Sequence, residues 1–248
     1  MDGAALSFDE HGAARHDRAA LRVLENIEAI LAGCPGDRAG VRLYGVEGLE
    51  PLLAPESAIG RIAVARLGPG ARPIRAVLFD KAPGANWALG WHQDRTIAVR
   101  ERGDVPGYGP WSVKAGIQHV EPQFAVIESM MTLRIHLDPV PTDNGPLLIA
   151  PGSHRLGRIP ASGIAAIVDR CGTISCLAER GDVWSYATPI LHASAASVGH
   201  VRRRVLQADF SAMTLPALLE WLGVQLPPCF GRERSRLRRN RCDAVFPL

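Results

Sequence analysis

LRIHLDPVPTDNGPLLIAPGSH, residues 133–154, holds two short β-rich runs separated by a turn and closed by a corner. Over 131–137 the residues alternate. Leu133, Ile135 and Leu137 fall on one face of an extended strand and Arg134 and His136 on the other, since successive side chains of a strand point to opposite faces. Asn144-Gly145 is a turn pair that tolerates positive φ, residues 146–150 supply the next strand, and Pro151-Gly152-Ser153-His154 bends the chain sharply. Outward from this stretch the same texture continues at 74–80, 88–94, 96–101, 174–177, 182–186 and 201–210. About eight short strands between Gly, Pro and Asn turns predict a sandwich, barrel or jelly roll.

Helical patterns flank this region. Leu21, Leu24, Ile27 and Leu31 recur at helical spacing over 17–32, and Gly33, Pro35 and Gly36 stop the run. Residues 56–67 predict a second helix that buries Ile59, Ile62 and Ala63. Leu215, Leu218, Leu219 and Leu222 predict a closing helix over 213–223. The Gly- and Pro-rich segment 103–110 reads as a surface loop or active-site lid. Nothing repeats and no shift in composition marks a second core, so residues 1–228 read as one domain, with 229–248 as an arginine-rich tail.

The 248 residues are 47% hydrophobic and 21% charged, a balance that can bury a sizeable core and argues against disorder. Charge or proline interrupts every apolar stretch well before the roughly 18 residues a bilayer-spanning helix needs. The N-terminus lacks the basic start and apolar run of a secretory signal, so the expected location is cytoplasmic. Five cysteines, with no C-x-x-C pair, read as reduced thiols. Arg232, Arg234, Arg236, Arg238, Arg239 and Arg241 form the one dense basic run. No aromatic residues interleave with them, which argues for a solvated tail over a nucleic-acid contact.

The sharpest chemical signal is Trp91-His92-Gln93-Asp94 at the end of a predicted strand, where alternation sends His92 and Asp94 to the same side. With His192, a hundred residues on, they would make a triad of two histidines and one carboxylate, the set that leaves open positions on Fe(II). Beyond His192 come Ser194 and then Arg202, Arg203 and Arg204. An arginine fork pairs bidentately with a carboxylate, and a neighbouring hydroxyl adds a hydrogen bond. Alternation turns Arg203 to one face and Arg202 and Arg204 to the other, so only one or two of the three point inward.

Taken together, WHQD at 91–94, LRIHLDPVPTDNGPLLIAPGSH at 133–154 and GDVWSYATPILHASAASVGHVRRR at 181–204 resemble the phytanoyl-CoA dioxygenase family of Fe(II)- and 2-oxoglutarate-dependent oxygenases. The resemblance runs from about Trp87 to Phe210. It implies a mainly β fold with a double-stranded β-helix (jelly-roll, cupin-like) core and flanking N- and C-terminal helices. It also implies His92, Asp94 and His192 as iron ligands, and Arg203, with Ser194 beside it, as the partner of the distal carboxylate of 2-oxoglutarate. The implied reaction consumes 2-oxoglutarate and O2, releases succinate and CO2, and hydroxylates an unactivated C–H bond of a small-molecule substrate. The sequence departs from the family where Ala195-Ala196-Ser197 replaces a segment that often holds asparagine. Halogenating relatives have a small residue where Asp94 stands, which favours hydroxylation here.

Other residues carry weaker expectations. His119, Arg134, His136 and Trp91 are candidates for substrate or supporting contacts; Arg134 and His136 qualify only if the polar face of their strand points into the barrel. Trp111 is a second candidate pocket wall. His154 reads as a structural, hydrogen-bonded histidine, and Asn144-Gly145 as a structural turn. Two other readings stay open: a catalytically inactive jelly-roll binding protein, and a cupin-like metalloenzyme that does not use 2-oxoglutarate. The expected partner is a small molecule rather than a membrane or nucleic acid; the sequence leaves the oligomeric state open.

Overall fold

The computed structural model describes residues 6–35, 40–82, 86–198 and 201–225; the expected arginine-rich tail lies outside them. The described residues form thirteen strands: β1 (Ala13–His16), β2 (Gly40–Arg42), β3 (Arg72–Lys81), β4 (Leu89–His92), β5 (Ile97–Val99), β6 (Trp111–Lys114), β7 (Ile117–Val120), β8 (Met130–His136), β9 (Leu147–Ile149), β10 (Ile174–Cys176), β11 (Val183–Ala187), β12 (His192–Ser194) and β13 (Arg203–Ser211). They form a six-stranded sheet in the order β1-β11-β8-β13-β3-β2, a four-stranded sheet β10-β9-β12-β4 and a three-stranded sheet β5-β7-β6. Every pairing is antiparallel. This is the jelly-roll fold the sequence predicts.

The large sheet is buried on both faces, and the faces differ in chemistry. On the outer face Leu78, Leu206 and Ile135 lie in register, as do Ala76, Ala208 and Leu133. They pack against the helices Leu24–Leu31 and Gly60–Leu67 through Leu24, Ile27, Leu31 and Ala63. On the inner face the same strands align Lys81 with Arg203, Gln207 with Arg134, and Asp209 with both Arg75 and Thr132. All seven of those side chains except Arg75 belong to the buried class. Polar groups leave water only where partners or ligands meet them, so this row marks the inside of the barrel as a site.

Two helical expectations change. The first helix begins as a 3-10 turn at Leu21–Val23 and becomes α-helical only at Leu24, which leaves Leu21 44% exposed. The closing helix over 213–223 is not formed. Pro216 lies inside that run and cannot donate the hydrogen bond an interior helical position requires, and the segment instead crosses the barrel end in irregular form. Arg100 N donates to Glu220 O, Leu222 N to Ala98 O and Gly223 N to Ile74 O. Leu215, Leu219 and Trp221 are buried against Ile97, Val99 and Val120. The loop through 103–110 packs Val105 and Tyr108 against the same cluster.

Candidate functional site

β12 places His192 directly opposite His92 of β4. Their ring centroids lie 4.3 Å apart, and one ligand atom from each of His92, Asp94 and His192 lies within 4.8 Å of the others. Two donors bound about 2.1 Å from one ion are at most roughly 4.2 Å apart, so a small closing movement suffices. In both histidines Nδ1 donates to the carbonyl two residues earlier, His92 to Gly90 O at 2.7 Å and His192 to Ile190 O at 3.0 Å. That leaves Nε2 of each ring with a lone pair. Burial, then the neighbouring His92, pushes the His192 imidazole down to about 4 despite Asp94, so it stays neutral and able to ligate. Burial alone would raise the Asp94 carboxyl, but Arg75 and the two histidines hold it below its ordinary value. Two imidazole nitrogens and one carboxylate match the donor set for Fe(II).

A hydrogen-bonded strip on the inner face leads away from the triad. Arg75 Nη2 is 3.7 Å from Asp94, and its Nε is bound to Asp209. Asp209 accepts from Thr132 at 2.9 Å. Gln207 donates to Asp209 at 3.4 Å and accepts from Arg134 at 3.1 Å and from Tyr186 at 3.3 Å. The strip ends at Arg203, 1% exposed, beside Lys81. Among the described residues, Arg203 Nε and Nη1 have no hydrogen-bond partner, nor has either ring nitrogen of His136. Burial and Arg134 lower the Arg203 guanidinium to about 9, and burial with Arg203 and Arg134 lowers Lys81 to about 7. Such a set of buried cations fits an anion supplied from outside the chain.

The neighbouring arginines are engaged elsewhere. Arg202 forks onto Asp80, and Arg204 onto Asp138 and Glu28. Ser194 Oγ accepts from Lys81 Nζ at 2.8 Å, which ties it to the cationic end. Arg134 and His136 both face inward, and Arg134 also stacks over Phe79. Trp91 points away from the triad and packs beside Ala150, Ile159 and Leu191. Trp111 packs beside Val120 and under Arg102. His119 is fully buried at a different wall, with Nδ1 on Ile117 O at 3.0 Å.

Four residues that frame the site were given no part in it by the sequence. Lys81 is one of only two lysines in the chain, and its Nζ also reaches Ala195 O. Gly145 has φ +56°, and a Cβ there would meet Ala195 O at 2.7 Å and Lys81 Nζ at 2.9 Å, so the Asn144-Gly145 turn makes room for Lys81. Gln93 faces away from His92 and clamps the triad strand: Nε2 donates to Pro189 O at 2.7 Å and Gly157 O at 3.0 Å, while Oε1 accepts from Ile159 N at 2.8 Å. Ser153 Oγ donates to Ala150 O at 2.6 Å and accepts from Leu191 N at 2.9 Å, which fixes the residue before His192. Among these, the Asn-Gly, Pro-Gly-Ser-His and WHQD motifs signal the position in the sequence, and Lys81 alone lies in no motif.

A family model described as "Phytanoyl-CoA dioxygenase (PhyH)" matches residues 56–205. No curated protein sequence gives a match. Among solved structures, EctD from S. alaskensis with 2-oxoglutarate and 5-hydroxyectoine is 17% identical, with 92% of this chain and 84% of that chain covered and a TM-score of 0.58. HygX from Streptomyces hygroscopicus, with nickel, 2-oxoglutarate and hygromycin B bound, is 12% identical, with 82% and 84% covered and a TM-score of 0.56. EvdMO1 is 23% identical over 82% of this chain, TM-score 0.53, but the match covers only 48% of that chain, so the present chain spans about half its length. At these identities the likeness is one of fold.

Proposed function

Because the chain belongs to the phytanoyl-CoA dioxygenase family, we propose that it is an Fe(II)- and 2-oxoglutarate-dependent dioxygenase that hydroxylates an unactivated C–H bond of a small molecule. The carrying observation is the pairing of two sites in one barrel: His92, Asp94 and His192 at one end of the polar strip, and the buried cationic side chains Arg203, Lys81 and Arg134 at the other. Fe(II) with 2-oxoglutarate and O2 supplies the oxidising power, giving succinate, CO2 and a hydroxylated substrate.

The chain's own residues supply geometry and electrostatics. His92 and His192 present Nε2 because their Nδ1 protons are held by Gly90 and Ile190. Arg203 is the group that grips the distal carboxylate, with Lys81 and Ser194 beside it. Thr132, Gln207 and Tyr186 line the path between the two ends and offer hydrogen bonds along it. Arg75 keeps the Asp94 carboxylate charged while Asp209 holds Arg75 in place. The apolar outer face of the sheet keeps water from the rear of the site.

The test is an anaerobic titration of purified protein with Fe(II) and 2-oxoglutarate, followed in the visible. A charge-transfer band that needs both components and is lost in His192→Ala supports the reading. Folded, metal-loaded protein that shows no band overturns it.

A further inference from the structure

His136 takes no part in the machinery above, yet it is 1% exposed. Among the described residues it is the one histidine whose two ring nitrogens are both buried without a hydrogen-bond partner. Polar groups taken out of water are ordinarily paired, so an orphaned ring asks for a partner that the chain itself does not supply. Register says where the ring stands. Val205 of β13 is aligned with His136 on β8 and with Phe79 on β3. Arg203, two residues from Val205, and Arg134, two residues from His136, share that inner face. Diagonal neighbours of this kind are within reach of long side chains, which puts the imidazole in the corner between the two arginines.

The neighbouring acids do not serve it. Asp182, whose carbonyl accepts from His136 N, has its carboxylate on Arg18 N at 2.8 Å, Glu179 N at 2.7 Å and Arg15 at 2.7 Å. Asp80 and Asp138 are held by Arg202 and Arg204 on the outer side. Burial, then Arg134, Arg203 and Arg15, hold the His136 ring well below its ordinary value, so it is neutral and carries one N–H donor. Arg203 Nε and Nη1 and Arg134 Nε are likewise buried without partners. With the imidazole N–H, these three guanidinium groups' N–H donors make a set of four in one corner. A carboxylate has two oxygens with about four lone-pair sites, so one such group can accept from the whole set.

We propose that His136 is a co-substrate-binding residue: one ring N–H donates to the distal carboxylate that Arg203 grips, and part of the preference for a 2-oxo acid ending in a carboxylate belongs to this ring. The aligned residues Phe79, Val205 and His136 then give that end of the site an aromatic wall, an apolar floor and a hydrogen-bonding wall. His136 reads the far end of the anion and has no role at the metal. The inference rests on the oxygenase reading, since it names a further contact to 2-oxoglutarate.

The experiment titrates the anaerobic Fe(II)-loaded protein with 2-oxoglutarate and with 2-oxopentanoate, which keeps the chelating end and the chain length but ends in a methyl group. The visible band reads both. His136→Phe keeps the bulk of the ring and removes its N–H; it should weaken 2-oxoglutarate roughly tenfold or more and leave 2-oxopentanoate within about twofold. His136→Gln, which returns an N–H, should recover part of the loss. A second measurement needs only the wild-type fold: in zinc-loaded protein labelled with 15N-histidine, 2-oxoglutarate should move the His136 ring signals, assigned by their absence from His136→Gln, and 2-oxopentanoate should not. The proposal is overturned if His136→Phe binds 2-oxoglutarate as the wild type does, if it weakens both acids alike, or if 2-oxoglutarate leaves the ring signals in place. A wild-type protein that shows no band with 2-oxoglutarate would instead count against the oxygenase reading, and the nitrogen signals would still report whether the anion reaches His136.

Discussion

His192 faces His92 across the β12–β4 pairing with ring centroids 4.3 Å apart, and each ring is held by the backbone carbonyl two residues before it. The shared geometry has one consequence. A carbonyl acceptor at Nδ1 fixes the tautomer, so both lone pairs emerge at Nε2 and point to the space that Asp94 also borders. The ligating tautomer is therefore set before a metal enters, and only the small closing movement remains. The antiparallel register therefore prepares the ligands as much as the side chains do.

Removal of either ring should cost the metal. His92→Ala and His192→Ala are each expected to lose stoichiometric Fe(II) binding, measured by equilibrium dialysis under anaerobic conditions, while circular dichroism shows the fold retained. Stoichiometric iron in both variants would falsify the triad.

Gln93 makes a prediction of a different kind, because it never faces the metal. Its amide joins the triad strand to Pro189, Gly157 and Ile159 at once. Gln93→Leu has similar bulk but leaves the Ile159 N–H and two carbonyls without a partner in the interior, where such groups cost about 1–3 kcal/mol each. Thermal unfolding should shift down accordingly, and iron affinity should fall roughly 10–100-fold, as it does when support behind a metal ligand is removed. Unchanged iron affinity alongside lowered stability would confine Gln93 to the scaffold.

The contrast between Gln93 and His92 also shows what the sequence could and could not reveal. The eight predicted strands are all present, and the alternation of LRIHL placed Arg134 and His136 together; the other strands were hidden for local reasons. β1 (Ala13–His16) has no β-branched residue, and β2 and β12 are only three residues long. The β6–β7 hairpin turns at Ala115 and Gly116, with φ +53° and +75°, and alanine in that conformation is not an expected turn signal. The closing helix failed because Pro216 interrupts the run; Leu215 and Leu219 pack at the barrel end while Leu218 stays 67% exposed. Lys81 was invisible because its significance depends on register: only the pairing of β13 with β3 brings it opposite Arg203.

The same register separates the three arginines. Arg203 points inward and is 1% exposed, while Arg202 and Arg204 are held by acids on the outer side. Arg203→Met should weaken 2-oxoglutarate binding by about 1.5–3 kcal/mol, the range for a hydrogen bond to a charged group. Arg202→Met and Arg204→Met should leave that affinity within twofold or so. Calorimetry on the three iron-loaded proteins decides, and equal losses in all three would remove the special role of Arg203.

Lys81 gives a pH dependence whose sign follows from its surroundings. Burial, Arg203 and Arg134 bring its ammonium to about 7, against roughly 10.4 for an exposed lysine. Between those values the unfolded chain holds a proton that the ligand-free folded protein does not, so this group makes stability rise as pH increases from about 7 towards 10. Bound 2-oxoglutarate adds negative charge beside Lys81 and Arg203 and should restore the proton. Binding near pH 8 should then take up roughly one proton, whereas near pH 6, with Lys81 already charged, uptake should be close to zero. Titrations of iron-loaded protein in buffers of different ionisation enthalpy measure this directly. Lys81→Met should abolish the uptake at pH 8 while the charge-transfer band persists. A wild-type protein that takes up no proton at pH 8 would place Lys81 outside the anion's reach.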